Sequence, residues 1–119
     1  MPSALYVTGD FCMEEKAKTL WKVIDTICGG YHIYKDENVI EKAKKAADQI
    51  QEYCSFFLQG NIFGMEEEAY RELYCFVVQV LEDFVEAVTQ NDTILMLDTL
   101  DYGLREIVDI YRENDEATA

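Results

Sequence analysis

Proline occurs only at Pro2, so nothing further along the chain removes a helical backbone donor or forces a kink. Histidine occurs only at His32, with no acid three residues away, which excludes the paired Glu-x-x-His sites of di-iron helical proteins. Cys12, Cys28, Cys54 and Cys75 form no Cys-x-x-Cys pair, and zinc needs closely spaced ligands, so no metal or other cofactor is expected. The opening Met-Pro-Ser-Ala-Leu-Tyr-Val-Thr-Gly-Asp lacks the basic start and apolar run of a signal peptide. Reduced thiols in a cytoplasmic protein are therefore the expectation. No apolar run approaches the roughly 18 residues of a membrane span. Basic residues are scarce: 10 Lys and Arg stand against 24 Asp and Glu. Phosphate binding needs clustered cations, so neither nucleic acid nor an anionic membrane is expected as a partner.

The charge that is present is uneven. Residues 1–59 carry nine acids and seven bases, a net −2, whereas residues 60–119 carry fifteen acids and three bases, a net −12. Half of the 119 residues are hydrophobic, which argues against disorder and for one domain spanning 1–119 with an adequate core. The tails 1–8 and 113–119 are expected to fray.

The strongest periodic stretch is 65–90. Tyr70, Leu73, Tyr74, Val77, Leu81, Phe84, Val85 and Val88 recur at steps of three and four. Ala69, Phe76, Val80 and Ala87 lie beside them, widening the apolar arc to roughly 200°. An arc that wide has to be covered by two or three neighbours. Glu66, Glu67 and Glu68 suit the positive end of the helix dipole, and Asn91 suits a left-handed cap.

Three further helices are predicted around it. One runs over 10–28, carrying Met13, Ala17, Leu20, Ile24 and Ile27 on its core side and ending at Gly29 and Gly30. Tyr31 to Tyr34, His32 included, follow as loop or as a bent turn. The second helix spans 37–59, capped by Asp36, with a seam of Ile40, Ala43, Ala47, Ile50, Cys54 and Phe57 and small residues that admit a close neighbour. Lys42, Lys44 and Lys45 are interleaved with acids and read as a solvated face. Ile62 and Phe63 in the following linker are expected to plug one end of the core, or Phe63 to stand out as a docking knob. The fourth helix spans 93–112, capped by Asp92. Four helices with short connections predict an all-α, antiparallel up-down four-helix bundle.

The fourth helix holds the most irregular features. Asp101 interrupts an apolar seam of Ile94, Leu97, Leu104, Val108 and Tyr111; as a buried polar candidate it has to hold a cation, bond to Arg105 or a tyrosine, or lie on a wet edge. Leu95 and Tyr102 project from the polar side of the same helix, giving a partner-binding or dimer patch with Phe63 as a third anchor.

Two resemblances bear on function. Asp83-Phe-Val-Glu86 and Glu106-Ile-Val-Asp109 resemble the metal-binding carboxylates of all-helical nucleotide pyrophosphohydrolases, although the first pair begins with Asp where that family has Glu. That resemblance implies Mg²⁺- or Mn²⁺-dependent hydrolysis, yet all four acids fall on the arcs opposite the seams. The run Leu73-Tyr74-Cys75-Phe76-Val77 through Leu81, Ala87, Asn91-Asp92, Leu97 and Leu104-Arg105-Glu106 resembles the last two long helices of flagellar export chaperones. It is also similar to small helical proteins of low-GC Gram-positive bacteria. Leu20-Trp21-Lys22-Val23-Ile24-Asp25 is a partial match to an early stretch of the chaperones, without the small residues that follow the Asp. The chaperone resemblance implies a helical bundle that wraps an amphipathic partner segment. The expectation is thus a non-catalytic interaction or chaperone-like protein, binding another protein or its own copy, with no catalytic residues.

Overall fold

The computed structural model describes the backbone of residues 2–35, 37–62 and 64–118, and within these the side chains of 13–35, 37–62 and 64–111. All regular structure among the described residues is helical: α1 (Pro2–Tyr34), α2 (Val39–Lys45), α3 (Ala47–Leu58), α4 (Glu67–Gln90), α5 (Thr93–Asp98), a π-helical segment (Thr99–Leu104) and α6 (Arg105–Thr118). Phe63 and Asp36 lie outside the described residues.

The helix predicted over 10–28 is longer at both ends. It passes through Gly29 and Gly30, although each glycine costs a helix about 1 kcal/mol, and stops where Lys35 turns left-handed at φ 57° with its N–H on the Tyr31 carbonyl, 3.0 Å away. The gain that offsets the glycines is packing: Ile27 and Cys28 are buried, and Tyr31, one turn on, still rests against the core. Met13, Ala17, Leu20 and Ile24 occupy the core as the spacing predicts.

The helix predicted over 37–59 is two. At Ala46 the backbone tightens, its N–H bonding to Ala43 three residues back at 3.1 Å, and a new axis begins. Alanine favours unbroken helix, so the cause is tertiary. α3 lies along α1 and α4, whereas α2 bends to reach α5 as well as α1. The small Ala43 and Ala46 are buried at this junction.

α4 packs on α2, α3, α5 and the π segment, in keeping with the width of its apolar arc. Val77, Val80, Phe84 and Ala87 are buried, but the edges of the arc are not covered: Tyr74, Phe76 and Val85 are exposed. Asn91 adopts the left-handed cap at φ 53°, with Asp92 N–H bonded to Ala87 O, and Asp92 in turn accepts the Leu95 N–H at 3.0 Å to start α5. Before α4, Ile62 is exposed rather than plugging the core. The linker is closed by Asn61, whose amide donates to Met65 O at 2.7 Å and accepts from Met65 N–H at 3.2 Å. The Tyr70 hydroxyl donates to Phe57 O at 2.7 Å, tying the start of α4 to the end of α3.

Candidate functional site

The continuous helix predicted over 93–112 is interrupted by the π segment, and that interruption shapes the surface. A π turn admits an extra residue and shifts the phase of everything after it. Met96 and Leu97 before the π segment, Leu100 and Leu104 within it, and Ile107 and Val108 after it all face the core. Thr99 is also enclosed, and its hydroxyl is satisfied by donation to Leu95 O at 2.8 Å.

Asp101 is moved to the margin. Its side chain is 32% exposed and accepts from Arg105 Nε at 3.0 Å, while the guanidinium carbon of Arg105 lies 5.5 Å from the centroid of the Trp21 ring on α1. Arg105 therefore links the π segment to α1. Under this cluster, burial pushes the Cys28 thiol up to about 11; the Asp101 carboxylate adds to the rise and Arg105 pulls against it.

Gly103 explains how α4 comes so close. A Cβ there would stand 3.0 Å from Val80 Cγ2. Val80 is buried and its branched side chain has little rotamer freedom, so the intruding methyl cannot be accommodated by a simple turn of χ1. Gly103→Ala is expected to lose about 1 kcal/mol, the clash outweighing the better helix propensity of alanine. In a Val80→Ala background the same change becomes neutral or stabilising, a coupling that urea unfolding of the double-mutant cycle measures.

This close approach leaves a shallow groove between α4 and the α5–π run, of about 230 Å³, with Val80, Thr99 and Gly103 among its floor residues. Phe76 and Tyr102 form its walls at 40% and 71% exposure, with Leu95 between helix and groove. Asp83 and Asp98 supply the rim. A second hollow of about 210 Å³, lined by Leu73, Phe76, Glu106, Ile107 and Ile110, continues it along α6. The chemistry on offer is apolar contact flanked by negative charge.

Of the anchors predicted from sequence, Tyr102 stands in solvent at the groove, and Leu95, predicted to project with it, leans half-buried on the core. Phe76 joins them from α4; its place at the edge of the apolar arc was its only signal. The four carboxylates of the hydrolase resemblance do not converge, and no cluster of three or more His, Cys, Asp or Glu able to hold a metal occurs among the described residues. Asp83 accepts from Gln79 at 2.9 Å, Glu86 from Gln90 at 3.3 Å, and Glu106 faces water. Asp109 turns one oxygen inward, where it has no hydrogen-bond partner among the described residues. No helix among the described residues is long and apolar enough to cross a membrane. No family model, curated protein or solved structure matches the chain.

Proposed function

We propose that the protein is a non-catalytic, cytoplasmic interaction module, an antiparallel up-down four-helix bundle that holds a basic amphipathic helical segment of another protein. The observation that carries this reading is the groove between α4 and the α5–π run: exposed Phe76 and Tyr102 with Leu95 beside them, rimmed by Asp83 and Asp98. Large aromatic side chains with two rotatable bonds lose little entropy on binding and dominate interface energetics. The acidic rim, within a chain of net charge −14, steers a cationic segment and repels an anionic one. The mode is helix-in-groove, with partner side chains spaced three and four apart entering between the walls. The resemblance to flagellar export chaperones points the same way, as it implies a bundle that wraps an amphipathic partner segment.

Fluorescence anisotropy with a labelled amphipathic Leu/Lys helical peptide and its Leu/Glu counterpart tests the reading. The Lys peptide is expected to bind and the Glu peptide not. Tyr102→Ala keeps the net charge and is expected to weaken the Lys peptide at least about tenfold. Equal affinity for both peptides, or indifference to Tyr102→Ala, rejects the groove as the binding site.

A further inference from the structure

Two surfaces outside that groove are complementary to each other. Between α1 and the α2–α3 junction lies a second, larger groove of about 450 Å³, floored by Val23, Ile27 and Ala46 and rimmed by Lys22, Lys42 and Lys45. Among the described residues neither Lys22 nor Lys45 makes an ion pair, in a chain where acids outnumber bases more than twofold. The flank of α4 has the opposite character. Tyr74, Val78, Leu81 and Val85 follow one another at helical spacing along it, with Val85 61% exposed, and Glu82 and Glu86 run beside them. One surface is apolar with cations, the other apolar with anions, and they sit on different elements of the same molecule.

We infer that the protein associates with itself head to tail, the α4 flank of one copy seating Val78, Leu81 and Val85 in the lysine-rimmed groove of the next. Charge decides the pairing. A symmetric contact of α4 on α4 sets Glu82 and Glu86 against their own copies, and a symmetric contact through the groove sets lysines against lysines; like charges across an interface oppose association. Only the crossed pairing brings carboxylates to ammonium groups, and it opposes the nearly neutral half of the chain, residues 1–59 at −2, to the acidic half at −12. Head to tail, such a contact leaves one groove and one flank unfilled at the ends and adds further copies, whereas a reciprocal two-fold pairing of flank with groove and groove with flank closes at a dimer and is the outcome that speaks against it. This inference is independent of the Tyr102 groove, and Tyr102→Ala leaves it unchanged.

Sedimentation velocity over a wide concentration range reads it directly. The wild type is expected to grow through dimer to larger species. The Lys22→Glu/Lys45→Glu protein, with its groove reversed, and the Val85→Lys protein, with its flank blocked, are each expected to associate at least about tenfold more weakly. Mixed together, the two regain one complementary contact, the flank of the first with the groove of the second, and form a one-to-one complex that grows no further. Circular dichroism melts establish that each variant is folded, and Glu82→Lys/Glu86→Lys substitutes for Val85→Lys if the latter is not. A wild type that stays monomeric, growth that stops at a dimer, or a mixture that stays monomeric overturns the inference.

Discussion

Tyr53→Ala is expected to lower the unfolding free energy by about 4 kcal/mol, the range for truncating a large aromatic in a packed core, against a total of about 5–15 kcal/mol for a typical domain. Tyr53 is fully enclosed. Its ring meets Phe57 edge-on at 5.3 Å, and Phe57 in turn lies 6.0 Å from Tyr111 of α6. Its hydroxyl reaches from α3 to α6 and donates to the Ile107 and Val108 carbonyls at 2.9 and 3.3 Å. Two separable contributions act here, the apolar ring and the hydroxyl bond. Tyr53→Phe keeps the first and removes the second; the carbonyls it abandons lie within α6, so the loss is that of one ordinary buried hydrogen bond, about 1 kcal/mol. Urea unfolding followed by far-ultraviolet circular dichroism distinguishes the two. If Tyr53→Phe costs as much as Tyr53→Ala, the polar link between α3 and α6, and not ring packing, holds this part of the core.

The sequence marks that core well and its backbone less well. The steps of three and four in 13–27 identify residues that the structure buries, because a helix can cover its apolar side only if that side is continuous; in 70–88 the same steps find Val77 and Phe84 in the core but also Tyr74 and Val85, which are exposed. Asn91 and Asp92 act as written, since caps depend on atoms within one turn. Propensity fails where tertiary packing opposes it. Gly29 and Gly30 stay helical because Tyr31 still reaches the core, and Ala46 breaks a helix because α2 and α3 have different neighbours.

The groove was half legible. Tyr102 could be read from its place on the polar side of a seam, whereas Phe76 was absorbed into the apolar arc of α4, whose exposed edge depends on how far the neighbouring helices reach. The π segment had two signals, Asp101 in the seam of Ile94, Leu97, Leu104, Val108 and Tyr111, and Gly103 in a second apolar seam of Thr93, Met96, Leu100, Ile107 and Ile110. Both are what a phase slip leaves behind when a helix is read at a constant 3.6 residues per turn. Neither identifies the slip alone, because a charged residue in a seam is equally explained by a local ion pair, and Asp101 does pair with Arg105.

Alkaline pH is expected to unfold the protein more steeply than charge repulsion alone explains. Burial raises the Cys54 thiol from 9.0 to about 12 and the Cys28 thiol from 9.0 to about 11, and burial also drives the Tyr53 hydroxyl far above its ordinary value, with Tyr111, Cys54 and Asp109 adding to the rise. In each case the folded state holds a proton that the unfolded chain gives up. Their contribution is therefore intact below about pH 9 and is lost as pH rises toward the folded values. Each group that is ionised only in the unfolded chain removes about 1.4 kcal/mol per pH unit. By pH 11 the three together remove on the order of 6 kcal/mol, comparable with the whole stability of a domain this size. Under reducing conditions the urea midpoint should hold steady from pH 7 to about 8.5 and then fall sharply. Cys54→Ala should flatten that fall by about 1.4 kcal/mol per pH unit, whatever it costs at neutral pH. Alkylation gives a second readout: exposed Cys75 should react with iodoacetamide in the folded protein, and Cys28 and Cys54 only as the fold opens. A midpoint unchanged between pH 8 and 11, or early alkylation of Cys54, means that these thiols reach water without unfolding, and that the contact of α3 with its neighbours is looser than the burial of Tyr53 and Cys54 requires.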